Sequence, residues 1–130
     1  MSAIIEAFTS TSSFLSGEGV SQDRIMQAEA ELRLQFSEEY REYLSLWGIA
    51  AFDGHELTGI TESCRLDVVT ATTKAKKRYP MLPANLYVIE ETNIEEVIVL
   101  QDTTGTIYGI GPNHQLEVID SSLSDYIKKG

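Results

Sequence analysis

The hydrophobic period of this chain switches from helical to strand-like along its length, and that switch restricts the folds open to it. Ile25, Ala28, Leu32 and Phe36 recur at helical spacing, and Tyr40, Tyr43, Leu44 and Trp47 follow at i, i+3, i+4 and i+7. Beyond Pro80 and Pro83 the apolar residues instead gather in short β-branched or alternating runs: Leu86 to Glu90, Val97 to Leu100, Thr106 to Ile110 and Leu116 to Ile119. Strands gathered after helices, not alternating with them, predict an α+β domain whose helices pack against a twisted, mainly antiparallel sheet. No repeat, linker or low-complexity stretch divides the 130 residues, so residues 1–130 read as a single domain.

Local signals place the elements. Ser21 is a good N-cap with Asp23 in the first turn, and Ser37 caps the next helix with Glu38 and Glu39 at its positive end. Gly48 stands where a left-handed residue would end that second helix. Ile4, Ile5 and Phe8 form the inner face of a short first helix, which the hydroxyl run Thr9 to Ser13 weakens. Gly17-Glu18-Gly19 reads as loop and Asp53-Gly54 as a turn, followed by a short strand over His55 to Ile60. The stretch Leu66 to Tyr79 carries valines and threonines that favour a strand, yet Ala71, Lys74 and Ala75 favour a helix ended by Tyr79-Pro80, and the helix is the reading adopted. Asp102 to Gly105 is a hairpin turn, Gly111-Pro112-Asn113 another, and Ser122 with Asp125 opens a final helix through Tyr126 and Ile127.

Charge narrows the function. Twenty acidic and ten basic side chains give a formal net charge of −10, with a pI near 4.5. Broad nucleic-acid binding needs clustered Lys and Arg, so the balance points instead to basic protein partners. Cys64 is the only cysteine, which excludes an intrachain disulfide and a thiolate-closed metal site and fits a reducing compartment. No apolar run is long enough to span a bilayer, and the N-terminus has no basic patch before its apolar residues, so a cytoplasmic location is expected.

The candidate chemistry is sparse. His55 and His114 lie beside turn residues at spacings that match no zinc pattern, and both read as solvated turn histidines. Cys64 has no nucleophile motif around it and reads as a plain buried or half-buried cysteine. Gly109-Ile110-Gly111-Pro112 is no dinucleotide fingerprint, because Pro follows and a strand comes next. No catalytic residue, metal ligand or cofactor is therefore expected. Residues 63–79 hold five basic residues against one acidic, with Lys74, Lys76, Lys77 and Arg78 forming the cationic end of a helix, as the dipole favours. Tyr40, Tyr43, Trp47 and Phe52 read as core.

The order Ile25…Ala28-Glu29…Leu32…Phe36…Tyr40…Tyr43-Leu44…Trp47-Gly48 resembles the front helices of the SUKH superfamily, the domains related to the yeast Smi/Knr cell-wall regulator. Leu57-Thr58-Gly59-Ile60, Asp67-Val68-Val69, Tyr87-Val88-Ile89-Glu90, Val99-Leu100-Gln101-Asp102 and Ser122-Leu123…Tyr126-Ile127 continue the likeness, nearest to the bacterial YobK-like branch. The family often has Pro where this chain has Ser37, and both residues suit a helix start. The resemblance implies helices on a twisted sheet and no catalytic residues. Many bacterial members are immunity proteins that neutralise a toxin domain, often a nuclease; others are non-catalytic interaction domains in regulation.

On that implication the acidic residues acquire a role. Glu90, Glu91, Glu95 and Glu96 flank a turn around Asn93, so two strands are expected to present four carboxylates at one edge of the sheet. Asp53 and Glu56 are outer candidates, and Glu38, Glu39 and Glu42 form a second acidic group. An anionic face of this kind suits the cationic groove of a toxin that acts on nucleic acid. The same carboxylates also serve as a solvated surface that discourages strand pairing at an edge.

Overall fold

The computed structural model describes residues 3–11, 13–62, 66–92 and 96–129. Among them, seven strands lie in one sheet in chain order: β1 (Leu15–Ser16), β2 (Ala50–Phe52), β3 (His55–Leu57), β4 (Tyr87–Glu91), β5 (Ile98–Gln101), β6 (Ile107–Ile110) and β7 (Leu116–Asp120). Every neighbouring pair is antiparallel. Helices interrupt this meander. α1 (Ala3–Thr9) precedes it, α2 (Gln22–Leu32) and α3 (Glu38–Leu46) separate β1 from β2, α4 (Val68–Arg78) separates β3 from β4, and α5 (Leu123–Lys129) follows β7. The α+β expectation holds.

Strand pleating divides the interior in two. Tyr87, Val99 and Ile107 point to one face, where they meet Phe8 of α1, Ile25 of α2, Tyr40 of α3 and Leu123 of α5. Val88, Ile98, Leu100 and Ile110 point to the other and meet Ala71, Ala75 and Tyr79 from α4 and its end. The centre of the first core is aromatic: Phe36, Tyr40 and Tyr87 pack with centroids 4.8–5.0 Å apart. Such pairs add roughly 0.5–1.5 kcal/mol beyond the area they bury.

A buried polar network threads these rings. Tyr40 Oη lies 2.9 Å from Thr58 Oγ1, which donates to the Val88 carbonyl at 2.7 Å. Ser37 caps α3 by accepting from the Tyr40 N–H, donates to Gln101 Oε1 at 3.0 Å, and gives its own N–H to Tyr87 Oη at 2.8 Å. That last bond gives the serine a use proline cannot serve, since proline has no N–H.

One local reading needs correction, and two strands come without a sequence signal. Phe36 is buried as expected, but α2 ends at Leu32, with Arg33 left-handed at φ 57°. The connector is held by Glu29, whose Oε2 accepts from the Phe36 N–H at 2.8 Å and from Arg41, so a side chain on α2 sets the path that helical spacing alone runs through. β2 is a strand that Ala50-Ala51-Phe52 does not announce. It forms because Asp53 (φ 45°) and Gly54 (φ 88°) both adopt positive φ, the turn whose twist fits a two-residue hairpin. β1 likewise has no strand signal; it lies just before the loop expected and found at residues 17–19 and pairs with β2 through two residues. The ambiguous stretch before Tyr79 is helical because Asp67 caps it, accepting from the Thr70 N–H at 3.1 Å.

Candidate functional site

The β2–β3, β4–β5 and β6–β7 pairs all have their joined strand ends at the same end of the sheet, because Phe52 pairs with His55, Glu91 with Ile98 and Ile110 with Leu116. The sequence-predicted contact residues Asp53, Glu56, Glu90, Glu91 and Glu96 are therefore brought to one end of one sheet, and Glu95 lies outside the described residues. β4 and β5 are inner strands, so the carboxylates stand at strand ends and not along a sheet edge. A role in protecting an edge drops out.

Glu90 is not part of a surface. It is 4 % exposed, on the face covered by α5. Its carboxylate accepts from the Tyr126 hydroxyl of α5 and lies 3.0 and 3.2 Å from His55 Nδ1. With Glu90 ionised it can only accept, so His55 donates through Nδ1. His55 is not a solvated turn histidine either: its ring stacks on Phe52 at 5.0 Å and faces Tyr126 edge-on at 6.2 Å. Burial, and then the adjacent Glu90 carboxylate, push the Tyr126 phenol far above its ordinary pKa, which keeps it a donor. The trio joins β3, β4 and α5.

Glu91 and Glu96 are exposed, as is Asp53, whose backbone makes the β2–β3 turn; Glu56 is exposed one residue into β3. Glu91 shares a groove of about 410 Å³ with Lys74, Lys77, Arg78 and Ile98. Glu96 lies 3.4 Å from Arg78 with both side chains largely solvated, a pair of little energetic weight. Arg78 also sits over the Tyr79 ring at 5.3 Å. The cationic end of α4 thus borders the acidic end of the β4–β5 pair, and the surface there carries both signs.

The second acidic group also divides. Glu38 is exposed, but Glu39 accepts from the backbone N–H groups of Leu123 and Ser124 at 3.0 and 3.3 Å and from the Ser124 hydroxyl. It anchors the start of α5 alongside Ser122, which accepts from the Asp125 N–H as expected, while the Asp125 carboxylate turns to Ser121. His114 is an exposed turn residue at φ 62°, edge-on to Tyr79 at 4.8 Å. Among the described residues no group of three or more His, Cys, Asp or Glu side chains is arranged to hold a metal ion; Cys64 lies outside them. No helix among them is long and apolar enough to cross a membrane.

Sequence reasoning missed the Glu90–His55–Tyr126 contact, because its members are 35 and 36 residues apart. A glycine inside a strand, Gly109, was a legible sign of close packing, and it lies under Ile119 at the β7 edge.

The chain is similar to a crystal structure of a protein from Pseudomonas syringae pv. tomato, with a TM-score of 0.64 and 15 % identity over 82 % of this chain and 80 % of that one, a likeness of fold. No curated protein matches the sequence. The family model SUKH_5, described as SMI1-KNR4 cell-wall, matches residues 1–128. With helices against an antiparallel meander and a family match along nearly its whole length, the chain belongs to the SMI1-KNR4 family of the SUKH superfamily.

Proposed function

We propose that this SUKH domain is an immunity protein that binds a cognate toxin domain, of the nuclease class, in a one-to-one complex and neutralises it without catalysis. The observation that carries the reading is the grouping of exposed Asp53, Glu56, Glu91 and Glu96 at one end of a sheet in a chain of net charge −10. Glu95, between Glu91 and Glu96 in sequence, is a further candidate carboxylate. Turn residues on a rigid sheet keep such a surface in place with little ordering on binding. A toxin that handles nucleic acid has a cationic groove, and an anionic surface seated there excludes phosphate by occupancy alone. No cofactor, metal or nucleophile is required. Glu90 supports this end from beneath and is not a contact residue.

The test is capture from the source organism with the tagged full chain at low and high salt, followed by expression of the captured protein alone and with this chain. A single basic partner, lethal alone and harmless in combination, supports the immunity reading; association slowed by Glu91→Lys with Glu96→Lys places the contact at this end. A non-lethal set of regulatory partners favours the second reading, a non-catalytic interaction scaffold, for which the cell-wall description of the matching family model speaks.

A further inference from the structure

The two edges of the sheet differ. β1 is two residues long, whereas β7 runs for five and pairs only with β6 among the described strands. Val118 is 66 % exposed and Ile119 39 %, adjacent β-branched residues on an edge where soluble proteins place charge or proline. The β6–β7 register shifts between Ile107 and Tyr108, leaving Ile119 as the extra residue of a bulge. The bulge lays Ile119 over Gly109: a Cβ on that glycine would stand 2.6 Å from Ile119 Cδ1. The result is a groove of about 480 Å³ beside the edge, walled by Val97 and Ile119 and bordered by Glu117 and Asn113. Gly109, which has no side chain, also lines it.

We infer that the outer edge of β7 and this groove accept an extended segment of a cationic partner protein, with apolar residues alternating with Lys or Arg, as an eighth strand. Strand addition satisfies the outer backbone groups of β7, and alternate side chains of the added strand reach the groove. Charge selects the occupant. Glu117 borders the groove, and Asp120 and Asp125 line the neighbouring concavity with Val118, Ile119 and Lys128, its one cation among the described residues. Residues 80–130 hold eight acidic residues against two basic, and a second copy would bring a further net charge of −10 to the contact. The inference does not depend on the partner being a toxin.

The probe is a short peptide of alternating valine and lysine, titrated into the full chain at low salt, with a valine–glutamate peptide as control and amide hydrogen exchange read by NMR. The valine–lysine peptide is expected to saturate at one per chain and to slow exchange in β7. Val118→Lys, at an exposed position that leaves the core intact, weakens it by about tenfold or more, as does Glu117→Lys, which also turns the preference toward the glutamate peptide. Absence of binding, protection elsewhere, equal binding of the two peptides, or indifference to both substitutions overturns the inference. A concentration-dependent dimer broken by Val118→Lys overturns it in favour of a second copy as the occupant.

Discussion

The carboxylates under α5 and at the β5–β6 turn behave differently from those beside α4, although nothing in their local sequence separates them. Glu39, Glu90 and Asp102 accept from protein N–H and O–H groups and tie distant elements or tight turns together. Glu91 and Glu96 are solvated and lie near lysine and arginine. An acidic side chain thus marks architecture where the protein supplies donors, and surface where it supplies only water or a mobile cation. A count of acidic residues overstates the anionic face by those that the fold has engaged.

The difference is broken most directly at Glu90. Glu90→Ala leaves the Tyr126 hydroxyl and His55 Nδ1 without their acceptor and is expected to destabilise the chain by about 3 kcal/mol, read by urea denaturation, with Glu90→Gln recovering part of it. Next comes Asp102→Ala. Oδ1 accepts from the Thr104 and Thr106 N–H groups at 2.9 and 3.1 Å and Oδ2 from the Tyr108 hydroxyl at 2.8 Å, so the loss is about 2 kcal/mol in the same assay.

Asp102 also gives the comparison a pH axis. Burial raises its pKa, but the hydrogen bonds from Thr104, Tyr108 and Thr106 outweigh it and hold the carboxyl below its ordinary value. A depressed folded pKa means that its contribution is complete above the unfolded value, about 4, and fades as pH falls through the folded one. Thermal melts taken downward from about pH 5 should therefore decline less steeply in Asp102→Asn than in the parent. Glu39→Ala removes the acceptor for two N–H groups at the start of α5 and costs about 1 kcal/mol. Glu96→Ala changes stability by less than about 0.5 kcal/mol. Equal effects at Glu90 and Glu96 would erase the distinction between the two groups.

What could be read from the residues in order is what short-range physics controls. Ser21 accepts from the Arg24 N–H and Ser37 from Tyr40, each three residues on, and Gly48 takes the positive φ (72°) expected at the end of α3. Helix periods, β-branched runs and the turn at Asp102 belong to the same class, and they sufficed for the α+β architecture and the family. The Asp53-Gly54 turn held the information for β2, but two alanines carry no strand pattern for it to join.

The candidate site was legible only as a list of acidic residues. Whether each carboxylate is exposed depends on donors 35, 36 or 84 residues away, the separations linking Glu90 to His55, Glu90 to Tyr126 and Glu39 to Leu123. The β7 edge is similar, since Ile119 becomes a groove wall only because a register shift sets it over Gly109. Composition and order determined the helices, the strands and the net charge, because propensity, capping and hydrophobic period act within a few residues. Tertiary structure alone decided which carboxylates meet solvent and which strand is left at an edge, because desolvation and hydrogen bonding between distant segments exist only once the chain has packed.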